Sequence, residues 1–301
     1  MRLTRLWLLS LALAAALVTS PASGQDLEPR FLSPAPVGMN FGVLAYGYSS
    51  GNVLLDQSLP LEGVTARIHG VTAAYVRSLG IFGRSAQVAV ALPTAHATWS
   101  GRVAGVDSST TRVGLGDPLV SLSMNLYGAP ALEPADYASY RPRTLVGVTV
   151  KMRVPVGQYD DSKFFNLGSN RWSFSPRLGV ARYIGKFTLE GYGAAWFFTT
   201  NSNFFGGSRV SQSPIYALQA HASYTHRPGL WAAVSIGQSL GGSLVVDGVD
   251  NEQSQRNNRV GVTAAIPISG RHSVKLAYTS GFSTRAGADF DTVVAAWQVR
   301  W

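Results

Sequence analysis

One stretch of the sequence has the spacing of a serine nucleophile. In GQSLG, Gly237, Ser239 and Gly241 match the Gly-x-Ser-x-Gly pattern, which presents a serine at a sharp turn between a strand and a helix. The residues that follow, GSLVVDGVDNEQ, are rich in Gly and Asp and lack the period of a helix. Because the required helix is missing, we interpret Ser239 as a small strand residue and predict no enzyme.

Histidine and cysteine are the other residue types that bind transition metals or carry catalysis. The chain has no cysteine, and its five histidines are spread singly, without metal-ligand spacing. We therefore predict neither a metal site nor a cofactor. A hydrolase that uses His96 with a loop carboxylate stays as the enzymatic alternative. The histidines are His69, His96, His221, His226 and His272.

Two neighbouring acids, Asp160 and Asp161, lie in a polar stretch that predicts a long loop. Calcium takes about six to eight oxygen ligands, so one pair of carboxylates is too few, and we interpret the pair as a solvated turn. Further upstream, GLGDP at 114–118 lacks the third glycine of a dinucleotide-binding motif. Pro118 also stands where a helix would continue, so this stretch predicts a bend or bulge in a strand.

The elements that carry these residues follow from a period of two. In TLVGVTVKMRV, Val146, Val148 and Val150 alternate with Thr149 and Lys151, which is the pattern of a strand with one apolar and one polar face. Similar segments recur along the chain. They lie near 39–49, 64–78, 84–99, 112–127, 143–156, 171–184, 186–200, 213–226, 230–241, 257–268, 272–284 and 290–301.

Strands of this length suit a membrane better than a soluble sheet. The alternative, a soluble β-sandwich, has strands of about five to six residues, whereas an apolar band of about 25 Å crossed at a tilt needs longer ones. In lipid, a sheet must close so that no backbone edge is left unpaired. The sequence therefore predicts an all-β fold: a transmembrane antiparallel up-and-down β-barrel of about 12 strands, with short periplasmic turns and longer extracellular loops.

The connections and aromatic residues agree with a barrel. LGIFG, IGK, RPG and SGR predict tight turns, which alternate with long polar loops around 100–111, 157–170, 200–213 and 241–258. Residues 128–142 form one long connection at the turn end, and its centre has the composition of a brief helix. Aromatic side chains near strand ends are typical of membrane interfaces. Here they are Trp172, Phe174, Tyr183, Phe187 and Trp231.

The first residues have the order of a secretory signal peptide. Arg2 and Arg5 precede an apolar run that gives way to TSPASG. We predict a cleaved signal over 1–24, a short periplasmic segment over 25–38 and an outer-membrane barrel over 39–301. Without the signal, 23 basic and 16 acidic residues give a net charge of +7. The basic residues are scattered singly, which argues against a nucleic-acid partner.

The polar faces of the strands carry more positive than negative charge. A lumen lined by cations favours anions, whereas the alternative is a lumen packed by salt bridges. The residues that we expect to set selectivity are Lys151, Arg153, Arg177, Glu190, Lys275 and Arg300.

Two stretches resemble a known family. GLGDP at 114–118 and VKMRVPVGQYDDSKFFNLGSNRWSFSPRLGVARY at 150–183 are similar to the outer-membrane family of the MetA pathway of phenol degradation. The resemblance implies a twelve-stranded outer-membrane barrel, often labelled a transporter. One branch of the superfamily exports amyloid subunits behind a coiled-coil segment, but 25–37 is too short and proline-rich for heptads. The resemblance also implies a shared extracellular loop feature, formed by Asp160, Asp161, Asn166 and Gly168.

The final stretch, DTVVAAWQVRW, places Trp297, Val299 and Trp301 on one face. This pattern resembles the signal that barrel assembly machinery recognises, although Phe is the usual last residue. The expected partners are this machinery and outer-membrane lipid. The function that we predict is a channel for the passive passage of small organic solutes, aromatic or anionic. The alternatives are a plugged structural or hydrolytic barrel, or an export pore.

Overall fold

In a computed structural model, the chain forms an antiparallel β-barrel. The structure describes residues 27–54, 61–250 and 254–301, so the predicted signal peptide lies outside the described residues. In these three ranges, strand accounts for almost all regular structure, and no helix is long and apolar enough to cross a membrane.

Seventeen strands are defined in the described ranges. They are β1 (Asn40–Leu54), β2 (Leu61–Ile81), β3 (Arg84–Val103), β4 (Val106–Leu115), β5 (Leu119–Tyr127), β6 (Thr144–Arg153), β7 (Ser173–Ile184), β8 (Phe187–Phe198), β9 (Asn201–Phe204), β10 (Ser208–Gln212), β11 (Ile215–Arg227), β12 (Leu230–Gly241), β13 (Leu244–Val246), β14 (Val249–Asp250), β15 (Gln255–Pro267), β16 (His272–Ser283) and β17 (Gly287–Arg300). A single-turn helix, α1 (Pro134–Tyr137), and a 3-10 turn (Phe205–Gly207) complete the described elements.

The barrel closes by pairing its first and last strands. Each barrel strand pairs antiparallel with its neighbours in sequence, and β1 pairs with both β2 and β17. Since β4 and β5 are two parts of one broken strand, the described residues give twelve barrel strands. Closure leaves no sheet edge to lipid, as a spanning sheet requires. The predicted fold class is confirmed.

Side chains alternate strictly between the two faces of the wall. Along β7, Ser173, Ser175 and Arg177 are buried and point inward, while Phe174 and Leu178 are exposed on the outside. The same alternation holds on β6, β12 and β16, where the predicted apolar faces lie outward. In a membrane barrel the outward face contacts lipid, so these exposed apolar side chains are in contact with hydrocarbon and not with water.

The bend predicted in GLGDP is present. Strand β4 ends at Leu115 and β5 begins at Leu119, and the two halves pair with different parts of β3. In the described residues β4 pairs only with β3, whereas β5 also pairs with β6. The other side of β4 is covered by the long connection between β6 and β7, where Gln158 N–H donates to the Leu115 carbonyl at 2.8 Å.

Three of the predicted long loops are more ordered than expected. The stretch around 100–111 is a hairpin, because Ala104 and Gly105 have φ of 50° and 79°, the left-handed values that a two-residue turn between twisted strands requires. The loops around 200–213 and 241–258 contain β9, β10, β13 and β14, which form a separate four-stranded sheet in the described residues. These short strands carry no clear alternation, which is why the sequence did not indicate them.

The aromatic prediction holds in part. Trp172, Phe174 and Phe187 are exposed outward near strand ends. Trp231 is different, because its side chain is 3% exposed and points into the lumen. Tyr183 is half-buried and packs against an inner apolar cluster. For Trp231 the interface assignment was therefore wrong, since the aromatic side chain falls on the inward register of β12.

Candidate functional site

The segment before the first strand lies inside the barrel. We call residues 27–39 the lumen plug. The side chains from Glu28 to Ser33 are buried. They contact strands around much of the wall, so the plug crosses the lumen. A proline-rich stretch has no period to predict such a position, and its contacts are all distant in sequence.

One carboxylate of the plug meets two cations of the wall. The Glu28 side chain accepts from Lys151 on β6, and its Oε2 lies 2.5 Å from Arg177 Nη1 on β7. All three side chains are nearly inaccessible. Lys275 on β16 is buried within the electrostatic range of the same carboxylate. Three of the predicted lumen residues therefore surround one acid that the sequence did not connect to them.

A second polar contact fixes the middle of the plug. The backbone N–H of Arg30 donates to Glu190 Oε2 at 2.6 Å, and Arg30 Nη1 donates to Thr225 Oγ1 at 2.8 Å. The guanidinium also lies 5.2 Å from the ring centre of Trp231. Glu190, the predicted inward acid, thus binds the plug backbone, and its other oxygen accepts from the Tyr192 hydroxyl at 2.5 Å.

Apolar plug side chains fit against glycines of the wall. Phe31 packs edge-to-face on Tyr192, with ring centres 5.8 Å apart, and the guanidinium of Arg177 lies 4.8 Å from the Phe31 ring centre. At Gly147, a Cβ atom would come within 2.5 Å of Leu32 Cδ2. The small inward residue therefore makes room for the plug, and a larger one would push it aside.

The periplasmic mouth is tied to the plug by the connection that contains α1. The Tyr137 hydroxyl donates to the Pro34 carbonyl at 2.5 Å, and Val37 N–H donates to the Leu132 carbonyl at 2.9 Å. Tyr137 is buried, and burial raises the pKa of its hydroxyl well above the usual value. The connection, whose composition allowed a brief helix, contains the single turn α1 and closes one side of the mouth.

At the extracellular end, an open apolar cavity lies between the barrel wall and the loops. Its aromatic residues are Trp99 from β3, Phe164 and Phe165 from the β6–β7 connection, and Phe205 from the 3-10 turn. We call this cavity, of about 450 Å³, the aromatic cleft. Trp99 and Phe165 stack in parallel, and Phe164 makes edge-to-face contacts with Phe165 and Phe205.

The aromatic cleft also contains two cations. Arg112 is half-buried; its Nε donates to the Phe165 carbonyl at 3.1 Å and its Nη1 to the Thr111 carbonyl at 2.8 Å. Lys163 is exposed at the rim. This site was not predicted from the sequence. The two Phe-Phe pairs at 164–165 and 204–205 were a usable signal, because adjacent phenylalanines are unusual in polar loops.

The family-like motifs meet at one buried carboxylate. Asp117 of GLGDP accepts from Gly157 N–H at 2.9 Å, from Ser169 N–H at 2.8 Å and from Ser169 Oγ at 2.6 Å. Gly168 packs so closely on Gly157 that a Cβ atom would lie 2.7 Å from its carbonyl carbon. These contacts explain Gly157 and Gly168 of the second motif, and the Asp117 hydrogen bonds hold the β6–β7 connection against the wall.

The predicted loop residues form the outer part of the same connection. Asp160 N–H donates to Asn166 Oδ1 at 2.9 Å, and Ser162 donates to Asp160 Oδ1 through both its N–H and its hydroxyl. The Ser162 hydroxyl and N–H lower the pKa of the exposed Asp160 carboxyl. Asp161 accepts from Asn203 Nδ2 at 2.6 Å, which links this loop to β9.

The remaining predicted residues lie near the two ends of the barrel. Arg153 is half-buried, and its guanidinium lies 5.7 Å from the ring centre of Trp196. Arg300 is buried at the periplasmic end and donates to the Gly270 carbonyl through Nε at 3.0 Å. Trp297 is exposed on the lipid-facing side and stacks on His272, with ring centres 5.6 Å apart.

Trp301 continues the seam that closes the barrel. Its N–H donates to the Asn40 carbonyl at 3.1 Å, and Asn40 N–H donates to the Trp301 carbonyl at 3.0 Å. The indole is exposed beside Tyr75 at the periplasmic end. Val299 shares this region, opposite Gly42 on β1. These positions are those of an interface anchor, and recognition by assembly machinery stays a prediction.

The residues considered for catalysis are spread over the barrel. Ser239 is buried on the inward face of β12, as predicted. His69 and His96 face each other across β2 and β3, with ring centres 6.3 Å apart, which their sequence separation did not indicate. His221 accepts from or donates to Ser235 at 2.8 Å. Among the described residues, no three His, Asp or Glu side chains lie in a metal-binding group.

A closed barrel with an apolar outer face, short turns at one end and long loops at the other defines an outer-membrane β-barrel protein. Residues 47–296 match the family model described as "Putative MetA-pathway of phenol degradation". The chain belongs to this family, as the sequence resemblance indicated.

Solved structures with the same fold are distant in sequence. The COG4313 outer membrane channel from Pseudomonas putida F1 is 18% identical, with a TM-score of 0.76, over 94% of this chain and 100% of that chain. The beta domain of the Bordetella autotransporter BrkA is 10% identical, with a TM-score of 0.51, over 88% and 100%. No curated protein sequence matches the chain.

Proposed function

We propose that this protein is an outer-membrane channel for the passive passage of small organic solutes that carry an aromatic ring. The observation that carries the proposal is the aromatic cleft, which places four aromatic rings in an open cavity at the extracellular end. Cavities of a few hundred Å³ with mostly apolar walls are typical of sites for small organic ligands. A structurally similar barrel from Pseudomonas putida F1 is described as an outer membrane channel, which supports the transport class.

The lumen plug argues against a wide aqueous pore. Glu28 and Arg30 bind wall residues in the middle of the lumen, where an open porin holds water. Solutes without an apolar part therefore meet an obstacle, whereas a solute with an aromatic ring gains free energy when that ring leaves water for the aromatic cleft. The route below the cleft requires the plug or the β6–β7 connection to move.

Uptake into intact cells tests the proposal. Initial rates of radiolabelled toluene uptake are compared in cells that express the protein and in cells without it. The expected result is a faster rate that saturates with toluene and survives depletion of cellular energy, because the process is passive. The Trp99→Ala variant loses most of the gain, and Phe187→Ala, a lipid-facing aromatic at a periplasmic turn, keeps it.

The plug itself favours a second candidate, a structural barrel without transport. Under that reading, expression changes the uptake of neither toluene nor polar sugars, and the Glu28→Gln variant behaves in the same way. This result would refute the channel. Uptake of sugars alone, in preference to toluene, would instead indicate a porin for polar solutes.

A further inference from the structure

The wall of the aromatic cleft is positively charged. Arg112 and Lys163 contribute to it, and none of its described lining residues is acidic. A purely hydrocarbon solute would cover the half-buried Arg112 without giving it a partner, and desolvating a charge without a partner costs free energy. Two cations beside aromatic rings therefore indicate a solute that carries both a ring and a negative charge.

Arg112 is held in place without being neutralised. Both of its hydrogen bonds within the protein go to backbone carbonyls, those of Phe165 and Thr111. A guanidinium has five N–H donors, so donors remain for the oxygens of an anionic group. The carbonyl of Phe165 also fixes the guanidinium next to the ring that stacks on Trp99.

The nearby acids accept their hydrogen bonds from groups other than the two cations of the cleft. Asp107 pairs with Arg102 at 3.2 Å on the exposed outer hairpin. Asp160 accepts hydrogen bonds within its own turn, and Asp161 accepts from Asn203. Asp160 also lies within electrostatic range of Arg112 and Lys163 and offsets part of their charge. The N–H groups of Arg112 that do not bind the two backbone carbonyls remain for a ligand.

We propose that the preferred solute is an aromatic monoanion, with its ring against Trp99 and Phe165 and its acidic group at Arg112, assisted by Lys163. The inference rests on the proposed function and specifies the class of solute. Inside the barrel, the buried cations Lys151, Arg177 and Lys275 outnumber the buried acids, which are Glu28 of the lumen plug and Glu190 of β8. This excess agrees with the inference, because an anion that leaves the cleft meets further cations.

Calorimetric titration of the full-length protein in nanodiscs tests the inference. The probes are benzenesulfonate, benzyl alcohol and benzylammonium, which share a ring and differ in charge. We expect benzenesulfonate to bind at least tenfold more tightly than benzylammonium, with benzyl alcohol between them. The difference in affinity between benzenesulfonate and benzylammonium should become smaller at higher salt concentration, because salt screens the charges at the rim of the cleft.

Variants separate charge from structure. Arg112→Met is expected to lower the affinity for benzenesulfonate at least tenfold and the affinity for benzyl alcohol less than threefold. Arg112→Lys is expected to restore part of the lost affinity for benzenesulfonate. Lys163→Met, on the exposed loop, provides a second test with an expected loss of about threefold. Arg102→Met, on the same hairpin but outside the cleft, should change neither affinity.

Three other results would contradict the preference for an aromatic anion. Equal affinity for the three probes would refute the preference for anions and leave the channel intact. An equal loss of all three in Arg112→Met would show that the residue only supports the loop. No binding of any probe, together with no toluene uptake, would refute the proposed function as well.

Discussion

The indole of Trp99 and the ring of Phe165 stack 5.0 Å apart, with their planes 9° from parallel. One belongs to the barrel wall and the other to the connection between β6 and β7. Their contact joins that connection to the apolar cluster inside the extracellular end, which includes Ile68 and Phe290. Removing either ring should therefore affect the aromatic cleft and leave the barrel assembled.

Phe165→Ala should reduce the protein-dependent rate of toluene uptake by about three- to tenfold. An aromatic pair contributes about 0.5–1.5 kcal/mol beyond the area that it buries, and about 1.4 kcal/mol is a factor of ten. Uptake into intact cells measures the change. Phe187→Ala is the control, and an unchanged rate in Phe165→Ala would show that the cleft is not on the path.

Asp117→Ala should expose the β6–β7 connection to proteolysis. The change leaves the N–H groups of Gly157 and Ser169 without their acceptor, at a cost of about 1–3 kcal/mol for each buried group. We expect trypsin to cut after Lys163 at least about tenfold faster, while heat-modifiable migration of the barrel is kept.

The control for this variant is Asp107→Ala, which removes an exposed ion pair with Arg102. Exposed ion pairs contribute about 0–1 kcal/mol to stability, so the rate of tryptic cleavage should change little. If Asp117→Ala is as resistant as the wild type, the carboxylate does not hold the connection in place.

Glu28→Gln should loosen the lumen plug. Lys151 and Arg177 lose the carboxylate that compensates them, and breaking one buried pair costs about 3–5 kcal/mol. In planar bilayers we expect a larger mean conductance and a stronger preference for anions, because a negative charge leaves the lumen. Glu133→Gln, an exposed acid beside α1, is the matched control. Identical recordings for wild type and Glu28→Gln would contradict the role of Glu28.

Deletion of Trp301 should lower the amount of assembled barrel. The residue supplies two backbone hydrogen bonds to Asn40 at the closing seam and an aromatic ring at the periplasmic end. Trp301→Phe keeps both and should assemble within about twofold of the wild type, as interface aromatics are interchangeable in this role. Heat-modifiable migration of outer-membrane fractions measures assembly. Equal assembly after deletion would argue against an anchoring role.

The strands were predictable because the alternation of residues within each strand indicates which of its faces contacts lipid and which faces the lumen. Lys151, Thr149 and Gly147 alternate with valines, and this local pattern alone places Lys151 inside the barrel. The broken strand at Pro118 followed from backbone chemistry in the same way. Register and closure then follow from the need to leave no edge in lipid.

The functional elements were less visible because they depend on contacts distant in sequence. Nothing in the residues around Glu28 indicates Arg177 as its partner. Trp231 was misassigned since an aromatic near a strand end fits either face, and only the register of β12 decides. The aromatic cleft forms only where β3 and two loops meet. Because these segments are far apart in sequence, no local pattern predicts the cleft.

The location of a bound heavy-atom probe shows whether the aromatic cleft holds an aromatic solute. Crystals of the full-length protein are soaked with bromobenzene, and bromine is located in an anomalous difference map. We expect a bromine peak in the aromatic cleft, within contact of Trp99 and Phe165, that is lost in Phe165→Ala. A saturating soak with bromine only on the lipid-facing side, and none in the cleft, would contradict this expectation.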